Sequence, residues 1–424
     1  MPGPPVIKPG TEFDTEKACY IIAGKLGSGG FGTIYLVRNK KTQQLAAMKG
    51  QTLQQDKRRL HQEVQIMMDL AKVPPSRRLH FLEYVDRGKS TALKIKFLVM
   101  ELVSLCLEDI RRLVLPDHKF TLCTLMQIAK QSLQAIWDLH DVGYIHRDVS
   151  TRNFAVGLGE KDRTVYMLDF GTARRWTETS PSGKVTARRE RRGPVDGIGA
   201  VTYRSRNCFK LKELSRRDDV ESWLYFLFEL WTERWCPGPN VLVAREQVFK
   251  KEWWLPGFPP EFYQVCQWLD LLQYEDQPPY QKIMEHVDHV AAVHKLNLND
   301  KLDWEGKITD DHRFGLIKSQ AKLLAERDER EKKAAQDREK RKEELEKAKE
   351  EEKKKKEDEE KKRKENEAKN RKDDDAKKEE PAKRKPKPEG RGIKTDVTEA
   401  TENQDNDDQL PKVSKKKRMS RRSR

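Results

Sequence analysis

Aromatic residues are missing from the last quarter of this 424-residue sequence. No Phe, Tyr or Trp follows Phe314, and every Trp and Tyr lies before position 305. The far segment therefore cannot bury enough apolar surface to fold as a globule, and the front must supply the core. Cysteine is also scarce. Its six residues (Cys19, Cys106, Cys123, Cys208, Cys236, Cys266) contain no Cys-x-x-Cys pair. That scatter argues against a disulfide framework or a zinc site and suits reduced thiols in a cytosolic or nuclear setting. Met1-Pro2-Gly3-Pro4-Pro5 has no apolar signal core. The most apolar run, Trp223-Leu224-Tyr225-Phe226-Leu227-Phe228, is too short to span a bilayer and has Glu221 and Glu229 close by. No membrane insertion is expected, and nothing in the pattern implies an oligomer.

Charge, in contrast, is abundant. The formal net charge is +16, which favours acidic partners. Residues 318–380 are dense in Lys, Arg, Glu and Asp. Acids precede bases by four positions at Glu343–Lys347, Glu352–Lys356, Glu360–Lys364 and Glu365–Lys369, the better order on a helix. Leu323, Leu324 and Leu345 are too few to sustain a coiled-coil seam. The segment reads as a solvated single helix or a disordered spacer, ended by Pro381, Pro386 and Pro388. The cluster Lys415-Lys416-Lys417-Arg418-Met419-Ser420-Arg421-Arg422 would suit nuclear import or an anionic surface.

The front half starts with a Pro- and Gly-containing leader, residues 1–15. A strand, glycine turn and strand are expected from Tyr20 to Val37, with further strands at Leu45–Lys49 and Phe97–Met100. Residues 56–72 carry an apolar helical face at Leu60, Val64, Met67 and Met68. Helical periodicity dominates from Leu122. The expectation is an α+β architecture, with a small strand-rich lobe followed by a larger helical one.

Several motifs carry chemistry. Gly27-Ser28-Gly29-Gly30-Phe31-Gly32 runs into the β-favouring Thr33-Ile34-Tyr35-Leu36-Val37, not into the helix of a dinucleotide fold. Such a hairpin can lie over phosphates, because glycine lets the backbone come close. Ala47-Met48-Lys49 follows, with Glu63 on the next helix as the carboxylate to hold Lys49. Met100 and Glu101-Leu102-Val103 suit a gatekeeper and an adenine-binding hinge. His146-Arg147-Asp148-Val149-Ser150-Thr151-Arg152-Asn153 and Asp169-Phe170-Gly171 read as a catalytic loop and a metal-binding turn. Phosphoryl transfer needs a carboxylate near the acceptor hydroxyl, the role of Asp148. It also needs oxygen ligands for magnesium, the role of Asn153 and Asp169.

With these residues in place, positions 15–306 resemble the casein kinase I superfamily, and its tau-tubulin kinase branch in particular. The resemblance rests on Asn153-Phe154-Ala155-Val156-Gly157, Arg216-Arg217-Asp218-Asp219-Val220-Glu221-Ser222, Ser205-Arg206-Asn207 in place of Ala-Pro-Glu, and Asp303-Trp304-Glu305. It implies the two-lobed protein kinase fold, ATP with Mg2+, and transfer to Ser/Thr of protein substrates. Residues 307–424 fall outside it, as a charged tail.

Two positions depart from the pattern. Ser150 replaces the loop lysine, and Gly199-Ala200 replaces a Gly-Thr. Decay into a scaffold without catalysis would explain both. Arg152 offers the other explanation. Asp148-x-x-x-Arg152-Asn153 matches the tyrosine kinase loop, in which the arginine does the lysine's work and the threonine is also absent. On that reading Asp148, Arg152, Lys49 and Glu63 are the catalytic set, and the loop chemistry admits a Tyr acceptor. The basic residues Lys184, Arg188, Arg189, Arg191 and Arg192 would favour acidic or already phosphorylated substrates. A third reading places function in the tail, bound to an acidic surface such as a microtubule; its mixed charge weakens that reading.

Overall fold

Strand periodicity sorts the strand residues before Glu101 onto two faces of one sheet. The computed structural model describes residues 7–376 apart from 30–31, 54–56, 181, 183–184, 192, 233–234, 236–239 and 253. It leaves out the side chains of 57–58, 316–332, 335, 352 and 365–376. Gly30, Phe31, Lys184, Arg192, Cys236, the tail prolines and the terminal basic cluster thus lie outside the described residues. The described residues divide into two compact units between Gln336 and Asp337.

The first unit opens on a six-stranded sheet in the order β1-β2-β3-β4-β6-β5. The strands are β1 (Glu12–Asp14), β2 (Cys19–Gly29), β3 (Gly32–Asn39), β4 (Leu45–Thr52), β5 (Tyr84–Ser90) and β6 (Ile95–Met100). Alternate residues point to opposite faces. Tyr35, Val37, Met48, Phe97 and Val99 build a small core on one face with Ile7 and Phe13. Ala47, Leu98 and Met100 face the main core. The described residues of the supposed leader, 7–15, are therefore part of the fold: β1 pairs with β2, Phe13 opposite Tyr20. Three residues of strand bounded by Gly10 and the polar Thr15-Glu16 give too short a pattern to read.

Helix α1 (Lys57–Leu70) follows. Leu60, Val64 and Met67 are buried as expected, while Ile66 and Leu70 are buried and Met68 only half so. Beyond the hinge come α2 (Leu107–Leu113) and α3 (Leu122–Asp141). Short pairings follow: β7 (Tyr144–Ile145) with β10 (Arg174–Arg175), β8 (Phe154–Val156) with β9 (Val165–Met167), and β11 (Thr177–Thr179) with β12 (Val185–Ala187). The remaining helices are α4 (Arg206–Phe209), α5 (Arg216–Trp231), α6 (Val241–Phe249), α7 (Tyr263–Asp270), α8 (Tyr280–Val293) and α9 (Asp310–Ala376). The apolar run of α5 is buried from Val220 to Phe228, as its composition predicts.

The described part of the second unit is the rest of α9, helical as far as Ala376, with exposed side chains wherever they are described. Glu360 and Lys364 meet at 2.8 Å, one of the expected spacings. The side chains of Glu352, Glu365 and Lys369 lie outside the description. Among the described residues, no helix is long and apolar enough to cross a membrane.

Candidate active site

Lys49 reaches the cleft because it shares a face of β4 with Ala47, opposite Met48. Its Nζ lies 2.8 Å from Glu63 Oε2 and 2.7 Å from Asp169 Oδ1. Glu63 follows Leu60 by one helical turn and is itself buried. Burial alone would strip the proton from Lys49, but the Glu63 and Asp169 carboxylates outweigh it and hold the amine protonated. Burial pushes Asp169 up, yet Lys49, the Gly171 amide and His146 bring its carboxyl below the usual range. Asp169 adopts φ 59°, the left-handed region, and Gly171 N–H donates to its Oδ1 at 3.1 Å.

Lys49, Glu63 and Asp169 border a cavity of about 410 Å³ between sheet and helices. Gly27, Gly29, Gly32, Met100, Glu101, Val103, Arg152 and Asn153 line it too. Ser28 does not: it is exposed on the β2–β3 hairpin, alternating with its two glycine neighbours. Gly32 has φ 136°, and a Cβ there would lie 2.5 Å from the Gly50 carbonyl. The hairpin must be glycine at that point. At the hinge, Glu101 N–H donates to the Glu83 carbonyl at 3.0 Å and Ser104 N–H to Val156 at 2.8 Å. Among the described residues the Glu101 carbonyl and the Val103 N–H have no protein partner. An acceptor and a donor two residues apart suit the edge of a purine.

The catalytic loop hangs from α5. Asp219, fully desolvated, accepts from His146 N–H at 2.6 Å, Arg147 N–H at 2.8 Å and His140 Nε2 at 2.9 Å. In the sequence this segment shows only as a family likeness; its one further signal is an Asp pair opening an otherwise apolar helix. Arg147 takes φ 66° and donates from Nε to the Thr172 carbonyl at 2.8 Å. Burial, with Arg174 and Arg191 nearby, brings its guanidinium down to about 10.

Asp148 is held on two sides. Asn153 Nδ2 donates to its Oδ2 at 3.1 Å and to its carbonyl at 2.8 Å. Ala200 N–H donates to its Oδ1 at 2.8 Å. A backbone amide thus stands in for the hydroxyl this sequence lacks. It can do so because Gly199, at φ 79°, lets the chain pass within contact of Arg147 and Asp148. Ser150 is buried, Arg152 is exposed at the cleft, and no described residue forms an ion pair with Arg152. Thr151 Oγ1 and the Tyr203 hydroxyl lie 2.8 Å apart, tying this loop to the turn after Ala200. Nothing in the sequence marked that pair.

A divalent metal suits the donor set. Asn153 uses its amide nitrogen on Asp148, which leaves its amide oxygen for a ligand, and Asp169 commits only one oxygen to Lys49. Two hard oxygen donors plus substrate phosphates match a cation that keeps several waters.

A lysine–glutamate pair under a glycine hairpin, a carboxylate loop and a purine-sized slot define a nucleotide-dependent phosphotransferase. The protein kinase domain profile matches residues 20–234, and the chain belongs to the protein kinase family as an ATP-dependent protein kinase. It is 30% identical over 292 residues to the serine/threonine-protein kinase spe-6 of Caenorhabditis elegans, covering 66% of this chain and 73% of that one. A Dictyostelium discoideum protein named as a serine/threonine-protein kinase is 31% identical over 296 residues, 68% of this chain and 57% of its own. A second Caenorhabditis elegans protein of that name class is 31% identical over 260 residues, 59% and 75% of the two chains.

Proposed function

We propose that this protein is a working serine/threonine kinase of the casein kinase I superfamily, in the manner of its tau-tubulin kinase branch, and uses ATP with Mg2+. The observation that carries the reading is the anchored Asp148. Its carboxylate keeps two fixed donors, Ala200 N–H and Asn153 Nδ2, although the threonine and lysine of the usual network are gone. A scaffold has no need of that arrangement. Asp148 orients the acceptor hydroxyl and takes its proton. The hydroxyl oxygen bonds to the γ-phosphorus as the bond to the bridging oxygen breaks, and ADP leaves. Lys49 positions the nucleotide phosphates. Arg152 supplies the cation that Ser150 cannot. Mg2+, held by Asn153 and Asp169, would neutralise the charge on the phosphates.

Acidic or already phosphorylated proteins are the fitting substrates. Burial and the nearby Arg191 and Arg188 depress the Arg174 guanidinium, and burial with Arg174 and Arg191 depresses that of Arg147. Glu213 answers only part of that charge, pairing with Arg174 and lying 3.6 Å from Arg191. Named relatives that are serine/threonine kinases support the acceptor class. Radiolabelled ATP, the full chain and a peptide library test the reading together. Phosphoserine or phosphothreonine is expected, lost in Asp148→Asn. No incorporation would return the scaffold reading. Phosphotyrosine alone would assign the loop's tyrosine-kinase pattern to the acceptor, and no preference for acidic neighbours would remove the arginine argument.

A further inference from the structure

The nucleotide cavity has a wall that the kinase motifs do not include. Arg313 and Phe314, from the first turn of α9, line it together with the hinge residues Glu101, Leu102, Val103 and Ser104. Their position is fixed from both ends. Upstream, Trp304 is buried against Phe120 at 6.0 Å between ring centroids, and its Nε1 donates to the Asp162 carbonyl at 2.9 Å. Arg163 pairs with Glu305 at 2.7 Å, and Thr121 N–H donates to Asp303 at 2.6 Å. Ile308 then packs on the main core. Thr309 begins the helix: His312 N–H donates to its Oγ1 at 3.3 Å, and Thr309 N–H donates to His312 Nδ1 at 3.1 Å. Arg313 Nε closes the strap by donating to Ser104 Oγ at 3.1 Å, while its Nη1 holds Asp310 at 3.2 Å.

We propose that the start of the charged tail is part of the ATP site, with Phe314 as an aromatic wall against the adenine and Arg313 as the latch that holds it to the hinge. The proposal rests on the kinase reading and adds a nucleotide-recognition element to that site. Phe314 is the last aromatic residue of the sequence. Only half-buried, it lines the same slot as the apolar Leu26, Ala47, Met100 and Leu168. A flat purine entering that slot would cover the ring. An aromatic contact of this kind is worth roughly a 3- to 10-fold change in affinity. Arg313 adds a fixed donor set beside the hinge and cannot approach the triphosphate without releasing Ser104, so its part is positioning.

The test uses the full chain. Dissociation constants for ATP and for adenosine are measured by calorimetry in wild type, Phe314→Ala, Phe314→Tyr and Arg313→Ala, alongside kcat and the KM for ATP. Phe314→Ala should weaken ATP and adenosine by the same factor, roughly 3- to 10-fold, and raise the KM for ATP with kcat unchanged. Arg313→Ala should move in the same direction. Phe314→Tyr, which keeps the ring, should bind as wild type. Tight wild-type binding that Phe314→Ala leaves unchanged overturns the inference alone. Tighter binding in Phe314→Ala also overturns it, and makes the ring a plug. No ATP binding in wild type overturns the kinase reading and the inference with it.

Discussion

At the scale of single residues, the proposed catalysis turns on Arg152 and Gly199. Arg152 is exposed at the cleft and has no ion pair among the described residues, and Ser150 is buried and too short to replace it. Losing one preorganised electrostatic donor costs on the order of 10²–10³ in turnover. Arg152→Ala should therefore lower kcat by about that factor with little change in melting temperature, since the side chain is exposed. Ser150→Lys in that background should restore part of the rate. Unchanged turnover in Arg152→Ala would make the arginine merely structural. Gly199 is the subtler case. A Cβ there would sit 2.6 Å from the Arg147 carbonyl and 3.0 Å from Asp148 Oδ1, at φ 79°. Gly199→Ala should push the Ala200 N–H off Asp148 and lower kcat at least about tenfold, the left-handed cost itself being about 1–2 kcal/mol. Wild-type kcat in that variant would show that Asp148 does not need the amide.

At the scale of elements, legibility followed chemistry. Lys49, Glu63, Asp148, Asn153 and Asp169 could be found because charge, spacing and strand or helix periodicity act together, and the fold brings all five to one cleft. The purely apolar lining, Leu26, Ala47 and Leu168, carries no such mark, since an apolar residue reads as core wherever it lies. β5 escapes the pattern because Asp86, Arg87 and Lys89 interrupt its alternation; the fold satisfies the buried Asp86 with Thr15 Oγ1, donating at 2.7 Å, and the Arg87 N–H, donating at 2.8 Å. The family resemblance ends at 306; in the fold α9 as far as Gln336 belongs to the first unit, although its composition already looks like tail. The second unit behaves as composition predicts. Its ion pairs, such as Glu360–Lys364, are exposed, and exposed pairs are screened by salt. A peptide of residues 337–376 should be helical by circular dichroism at low salt and lose helix as salt rises. No helix at low salt would count against ion pairing as its support.

At the largest scale, the helical part of the first unit is joined at a buried histidine. His140 of α3 joins Asp219 of α5 at 2.9 Å and faces the Tyr280 hydroxyl of α8; Asp219 in turn fixes the His146 and Arg147 amides. Three helices and the catalytic loop thus share one carboxylate. Burial lowers the His140 value, with Asp219 pulling the other way, Arg216 lowering it further and Asp141 raising it. The neutral ring can donate from Nε2 to Asp219 and accept at Nδ1 from Tyr280. His80 is also lowered by burial, its ring bonded to the Val165 carbonyl at 2.8 Å. Below about pH 6.5 the unfolded chain protonates both histidines while the folded one resists. The unfolded state then binds more protons, and stability falls as pH falls. Asp218 works against this, because burial raises its folded value to about 6 and it takes up a proton below that point. The net slope is therefore clearest just above pH 6. His140→Gln keeps a donor for Asp219 and cannot titrate. Denaturant unfolding at pH 7.5, 6.5 and 5.5 should show wild type losing up to about 1.4 kcal/mol per pH unit more than His140→Gln below pH ~6.5. Parallel pH profiles for the two proteins would mean that His140 binds its proton alike in the folded and unfolded chains, and a wild type that gains stability over His140→Gln as pH falls would mean that His140 already carries its proton in the folded state. The contact with Asp219 would then be a buried ion pair, and the loop would be anchored by charge instead of by a neutral donor.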